Sequence, residues 1–276
     1  MNWRGRFMIK ENPLVTVIIP TYNRPELVQR AVKSVQEQTY SNIEIIVIDD
    51  ASEKDIFNSL EGYENIRVLR NEVNKGGCFS RNRGIKEARG EYINFLDDDD
   101  ILYPEKIEKQ ISCFQNSSDS DLGMVTAHAL DKRSGVEQKK YNRVEGNIYK
   151  DLLSSYAVSG IETMLFKKSA LERINGFDEQ IASSQEYDLL IRFAEYYTVD
   201  YVDEILSQEF RSINQISLNF DKKKSGAKYL YKKHKNRFKS QGLYFWLKMK
   251  LKFNFLYVRF FVGKHFGEKA YRLLMR

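Results

Sequence analysis

Four consecutive aspartates, Asp97 to Asp100, close the apolar run Tyr92–Leu96. Adjacent carboxylates repel one another, and a bound cation relieves that repulsion. Hard divalent ions such as Mg²⁺ and Mn²⁺ take carboxylate and phosphate oxygens as ligands, so the run can hold a metal that in turn holds a phosphate-bearing substrate. A solvated acidic turn is the plainer alternative. Two other short stretches have chemical potential of a related kind. Tyr22-Asn23 offers an aromatic face, and Asp49-Asp50 offers a second pair of carboxylates.

The elements that carry these groups follow from hydrophobic pattern. Leu14–Ile19, Ile43–Ile48, Ile66–Leu69 and Glu91–Leu96 are short apolar, β-branched runs of the kind that form buried strands. Helical spacing follows Pro25, with Leu27, Val28, Ala31, Val32 and Val35 on one face, and a second helix opens at Gly76-Gly77 and closes at Gly90. Strand and helix alternate four times, which predicts an α/β fold with a mostly parallel sheet flanked by helices. Ligands of such sheets bind beyond the carboxyl ends of the strands. Tyr22, Asp50 and Asp97–Asp100 each follow a strand, so all fall on one edge, as a site for a metal-bound, ring-bearing ligand requires. Further on, a helix is expected from Pro104 to about 115, strands at 121–127 and 164–166, a loop or hairpin at 131–146, and helices at 169–174 and about 185–196.

The ordered set Val17-Ile-Ile-Pro-Thr-Tyr-Asn-Arg24, Ile48-Asp-Asp50, Asn74-Lys-Gly-Gly77 with Ser80-Arg-Asn-Arg-Gly84, Glu91 to Asp100, Gly176-Phe-Asp-Glu179 and Glu186-Tyr-Asp-Leu189 resembles family 2 glycosyltransferases of GT-A fold over roughly residues 13–212. The resemblance implies an inverting transfer of sugar from a nucleotide diphosphate sugar, with a UDP-sugar expected, to a hydroxyl of a glycan or lipid-linked glycan, assisted by Mn²⁺ or Mg²⁺. It implies that Pro20, Tyr22 and Asn23 border the nucleotide, that Tyr22 packs on the base and that Asp50 binds its edge, with Asp49 in support. Gly77 lets backbone approach the donor, and Arg81 reaches the nucleotide or diphosphate. Asp97 to Asp99 match the Asp-x-Asp signature. Asp99 is the expected direct metal ligand with Asp97 beside it, Asp98 is expected at the ribose or the metal's water shell, and Asp100 is expected to cap the helix near Pro104.

The catalytic base is expected at Glu186, although the family has aspartate there and this chain has Gln185 before it. Ser183-x-x-Glu186 also fits a capping box, which would make Glu186 a helix-terminus residue, and Asp188 is the other candidate base. His128 is expected as a packed strand residue. A non-catalytic scaffold in a glycan-assembly complex and a sugar-nucleotide nucleotidyltransferase are the alternatives; the second would need a glycine-rich loop after the first strand, which Pro20–Arg24 lacks.

The net charge of +6 conceals a division. Residues 222–276 hold 17 Lys/Arg against the single acid Glu268, whereas the preceding 221 residues carry a net −10. We expect a GT-A domain at 1–220 and a basic, aromatic-rich helical extension at 221–276. Along the extension, Lys248, Lys252 and Arg259 share one side of a helix, and Leu247, Leu251, Phe255 and Val258 share another. That pattern suits an amphipathic helix on an anionic membrane surface, and its cations argue against a span. Packing of the aromatics on the catalytic domain or on a second subunit, as a homo-oligomer, is the alternative, and nucleic acid is not expected as a partner. Two cysteines, Cys78 and Cys113, read as free thiols, and residues 1–10 lack the apolar segment of a leader. The expected location is cytoplasmic, peripheral on the inner face of the cell membrane.

Overall fold

The computed structural model describes residues 12–132, 137–156, 158, 160–210 and 219–274. The first half follows the predicted alternation: β1 (Val15–Thr21), α1 (Pro25–Gln36), β2 (Ile43–Asp49), α2 (Ile56–Ser59), β3 (Ile66–Arg70), α3 (Gly77–Glu87) and β4 (Tyr92–Phe95). Then come β5 (Ile101–Leu102), α4 (Lys106–Asn116), β6 (Leu122–Asp131), β7 (Gln138–Lys140), α5 (Tyr149–Ser154), a 3-10 turn (Ile161–Thr163), β8 (Leu165–Lys167), α6 (Lys168–Arg173), α7 (Gln185–Phe193) and β9 (Thr198–Glu209). Two long helices end the chain, α8 (Phe220–Ser240) and α9 (Leu243–Leu273), the latter broken at Gly267.

All the strands belong to one sheet, in the order β3-β2-β1-β4-β8-β6-β9-β5, with β7 on β6. The first four run parallel, β8 is antiparallel to both β4 and β6, and β9 returns parallel to β6. Residues of β1 alternate between two apolar clusters. Ile18 faces α3 and the later helices, while Val17 and Ile19 face α1 and α4. Burial on both faces is why the strand reads as an unbroken apolar run. Gly84 allows α3 to approach β1, because a Cβ there would lie only 2.4 Å from Ile18 Cγ2.

The basic extension does not stand apart. Leu230 and Phe238 of α8 and Met249, Phe253 and Phe260 of α9 are buried in the same apolar cluster as Phe95 and Phe166 of the sheet. The opposite side of α9 is exposed, and Leu247, Leu251, Phe255 and Val258 all lie on it. No helix among the described residues is long and apolar enough to cross a membrane.

Candidate active site

Parallel register sets the frame. Thr21 pairs with Asp49 across β1 and β2, and Leu96 N–H donates to Ile18 O at 3.0 Å, so the chain leaves β1, β2 and β4 at one edge. There a cavity of about 860 Å³ is lined by Pro20, Tyr22, Asn23, Asp50, Gly77, Arg81, Asp97, Asp98, Asp99 and Glu186. These ten predicted site residues therefore border one space.

At one end, Tyr22 is 42% exposed. Asn23, at φ 59°, ties the loop after β1 to the loop after β2: its Oδ1 accepts from Glu53 N–H at 2.7 Å and its own N–H donates to Ser52 Oγ at 2.8 Å. The Asp50 carboxylate accepts from Asn71 Nδ2 (2.7 Å), Lys75 N–H (3.0 Å) and Gly76 N–H (2.7 Å). It thus pins the turn in which Gly76, at φ 84°, opens α3, and that turn positions Arg81 one helical turn later. Asp49 is a supporting residue, accepting from Ser52 N–H and Arg70.

At the other end the aspartates separate. Arg81, buried on α3, donates to Asp97 Oδ1 at 2.5 Å and to Gln185 Oε1 at 3.3 Å. Burial opposes its charge, but Asp97 and Glu186 outweigh that and hold its pKa above the ordinary value. Asp98 turns toward Thr21 Oγ1 (2.8 Å) and Arg24 Nη1 (2.9 Å). Burial pushes the Asp98 carboxyl up to about 6 against the pull of Arg24. The backbone carbonyl of Asp99 accepts from Arg30 at 2.5 Å.

Asp100 corrects an expectation. It does not cap a helix, because α4 starts only at Lys106 behind Glu105, and residues 101–102 are extended, paired with β9. Its carboxylate accepts from Phe210 N–H at 2.8 Å and joins Asp97 and Asp99, the ligand oxygens of the three lying within 4.8 Å of one another. Burial, then Glu162, Asp97 and Asp99, push the Asp100 carboxyl well above its usual range. Clustered oxygen donors whose charges oppose one another fit a hard divalent cation. Asp98, by contrast, has its carboxylate directed at Arg24.

Glu186 lies in the first turn of α7. The capping box does not form: the N-cap is Ser184, at φ 65°, without a side-chain cap bond, and Ser183 Oγ donates to Lys222 O instead. Burial raises the Glu186 pKa, Arg81 draws it back and Asp97 adds to the rise. Asp188 does not line the cavity. It is fully buried and bonded to Arg192 (2.8 Å), Lys233 (2.8 Å) and His234 (2.9 Å), an anchor between α7 and α8. His128, as expected, is packed, with Nε2 2.7 Å from Asp203.

Sequence reasoning missed three groups. Arg24, next to Tyr22-Asn23 in the quoted motif, pairs with Asp98 and reaches Asp99 at 3.5 Å. Lys223, Phe260 and Tyr271 of the extension line the large cavity, which no local pattern announces. Glu162, Glu209 and Tyr156 border a second cavity of about 320 Å³ that shares Asp97, Asp99 and Glu186 with the first.

Comparison with known proteins agrees with this architecture. The profile described as Glycosyl transferase family 2 matches residues 16–174. An uncharacterized glycosyltransferase of Methanocaldococcus jannaschii is 30% identical over 86% of this chain and 85% of its own length. The Escherichia coli glycosyl transferase WcaA, whose name assigns it to colanic acid biosynthesis, is 31% identical over 83% of this chain and 84% of its own. Among solved structures, the Pyrobaculum calidifontis mannosyltransferase PcManGT, in complex with GDP-Man and Mn²⁺, superposes with TM-score 0.61 at 18% identity over 81% of this chain and 65% of that one. Staphylococcus aureus TarS 1–349, in complex with UDP-GlcNAc, gives 0.59 at 21% identity over 90% and 79%. A family profile covering more than half of the chain, with a relative aligned along most of both sequences and the fold shared with these structures, makes this protein a glycosyltransferase of family 2 with the GT-A fold.

Proposed function

We propose that the protein transfers a sugar, with inversion, from a nucleotide diphosphate sugar, UDP-linked in our reading, to a hydroxyl of a glycan or lipid-linked glycan. The observation that carries this reading is the single cavity that Tyr22 and Asp50 line together with Arg81, Asp97, Asp98, Asp99 and Glu186. These groups suit a nucleobase, a diphosphate and a reacting centre in turn. Tyr22 offers a ring face to the base, and Asp50, whose Oδ2 accepts from Gly76 N–H, has room to accept from a base N–H as well. Arg81 faces the leaving diphosphate and balances charge that grows as its bond to the sugar breaks.

Asp97, Asp99 and Asp100 would hold Mn²⁺ or Mg²⁺, which when bound neutralises the diphosphate further. Glu186 takes the proton of the acceptor hydroxyl while that oxygen bonds to the anomeric carbon and the nucleotide diphosphate departs from the opposite face. A donor partner is supported by the nucleotide sugars bound in the similarly folded TarS and PcManGT structures, and a glycan acceptor by the name of WcaA. The exposed apolar side of α9, with exposed Lys248 beside it, supports attachment to an anionic membrane on its cytoplasmic face, where a lipid-linked acceptor would be met; Lys252 donates to Ser154 O and Arg259 packs over Tyr271. The division into a catalytic unit at 1–220 and an attachment unit at 221–276 is part of this proposal.

The test is nucleotide release from UDP-GlcNAc and from GDP-mannose with Mn²⁺, Mg²⁺ or EDTA. Metal-dependent release from one donor is expected. Absence of both binding and release with either donor in every metal would overturn the reading.

A further inference from the structure

The second cavity has a feature that the donor reading leaves unused. Glu162 stands in the 3-10 turn, is 2% exposed, and its Oε1 has no hydrogen-bond partner among the described residues. Its backbone is fixed, since Asn94 Nδ2 of β4 donates to Glu162 O at 3.2 Å and Gln110 Nε2 of α4 donates to the neighbouring Thr163 O at 2.8 Å. The side chain therefore cannot escape burial by a shift of the turn. The lack of a side chain at Gly160 is what admits the carboxylate, because a Cβ there would lie 2.4 Å from Glu162 Oε1 and 2.9 Å from Glu209 Oε1. A buried oxygen without a partner destabilises the fold, and a ligand that donates to it recovers that cost.

We propose that this cavity is the acceptor subsite, that it takes an uncharged, hydroxyl-bearing sugar ring, and that Glu162 orients the ring by hydrogen bonding to a hydroxyl not involved in the reaction. The proposal rests on the glycosyl-transfer reading above. A cavity of about 320 Å³ lies at the small end of ligand sites, the size for a single ring. Tyr156 borders it and is 41% exposed, an aromatic face for the apolar side of a sugar. Asp97, Asp99 and Glu186 border both cavities, so a hydroxyl entering from this side meets the base and the donor together. Among the described residues Lys140 is the one basic residue of the lining, and it is bound to Glu209 at 2.6 Å. An acidic wall of this kind repels phosphate and uronate groups.

The experiment uses the full chain with UDP and Mn²⁺ and measures saturation-transfer NMR of methyl hexosides and of methyl glucuronide. Calorimetry of UDP on the same samples reports separately on the donor reading and on folding. Saturation of at least one methyl hexoside without saturation of the glucuronide is expected. Glu162→Ala should weaken that hexoside at least 10-fold, and Glu162→Gln, which keeps a hydrogen-bonding side chain, should stay within about 3-fold of the parent. UDP binding with no hexoside saturation, with glucuronide bound as well as the hexosides, or with an unchanged hexoside in Glu162→Ala, overturns the proposal and leaves the donor reading standing. Loss of UDP binding in the parent protein overturns both.

Discussion

Arg81 Nη2 lies 2.5 Å from Asp97 Oδ1, and this pair, buried on the Arg81 side, joins the start of α3 to the end of β4. The pair makes the site a unit. Asp50 fixes the Gly76 turn, the turn aims Arg81, and Arg81 fixes Asp97 and restrains the pKa of Glu186. Arg81→Lys keeps the charge but loses the fork that spans Asp97 and Gln185. Turnover is expected to fall by about 10²-fold or more, in line with removal of a preorganised charge-stabilising donor. Wild-type turnover in Arg81→Lys would show that the guanidinium serves the fold alone.

The aspartates divide by geometry, and metal titration can read the division. Asp99→Asn and Asp100→Asn are both expected to raise the Mn²⁺ concentration for half-maximal activity at least 10-fold, because each removes a charged oxygen from the cluster. Asp98→Asn should leave the metal response near that of the parent and weaken the loop held by Thr21 and Arg24. If Asp98→Asn shifts the Mn²⁺ curve and Asp100→Asn does not, the assignment is reversed.

Glu186 should set the acid limb of the rate profile. A base works only when ionised, so the rate falls as pH falls through its folded-state pKa. Burial raises that pKa, which places the midpoint above the ordinary glutamate value of about 4.3. Glu186→Gln should lower kcat by about 10²–10⁴-fold with UDP affinity retained. Undiminished transfer by Glu186→Gln would return the search for the base to the remaining acids of the second cavity.

Much of this site was legible because its groups follow strands of one parallel sheet, where alternation alone places strand ends together. Asp100 was misread for a local reason. Pro104 signals a nearby helix, but the chain first extends through residues 101–102 to pair with β9. That strand was itself hidden: Thr198–Glu209 carries Asp200, Asp203, Glu204 and Glu209, and its register comes from β6, a partner about 75 residues away in sequence. Glu162 and the residues of the extension were invisible for the same reason, since their roles depend on contacts between distant segments. Glu186 and Asp188 illustrate the limit within one turn of helix. Sequence leaves both as candidate bases, and only the docking of α8, which brings Lys233 and His234 to Asp188, separates them.

That docking yields a stability prediction. Burial opposes the Asp188 charge, but His234, Arg192 and Lys233 outweigh it and hold the carboxyl well below its usual range. A depressed carboxylate stabilises the fold at pH values above the unfolded pKa of about 3.9, and that contribution is lost as pH falls through the folded value. The urea midpoint of the parent should therefore drop between about pH 5 and pH 2. Asp188→Asn should cost about 3 kcal/mol at pH 7, since it removes a fully buried charge and leaves the half-buried Arg192 and Lys233 without it, and should flatten the acid dependence. An unchanged midpoint at pH 7 would mean that the cluster adds nothing to the union of α7 and α8.

The outer side of α9 separates attachment from folding more cleanly, because its apolar residues contribute little to the core. Leu251 and Phe255 are 69% and 51% exposed, while Met249 and Phe253, two residues before each, are buried. Replacing Leu247, Leu251, Phe255 and Val258 together by Ser should leave the unfolding midpoint nearly unchanged. Each lost apolar contact with the bilayer interface weakens membrane binding, at about 25 cal/mol per Å² of surface no longer buried. Co-sedimentation with vesicles containing anionic lipid should fall at least 10-fold in this variant. Under the membrane proposal the parent should also release as salt rises, since exposed Lys248 would attract headgroups. Equal sedimentation of parent and variant would move the membrane contact elsewhere. Loss of sedimentation accompanied by a lower unfolding midpoint would place these four side chains in a protein contact, as a second copy of the chain would provide.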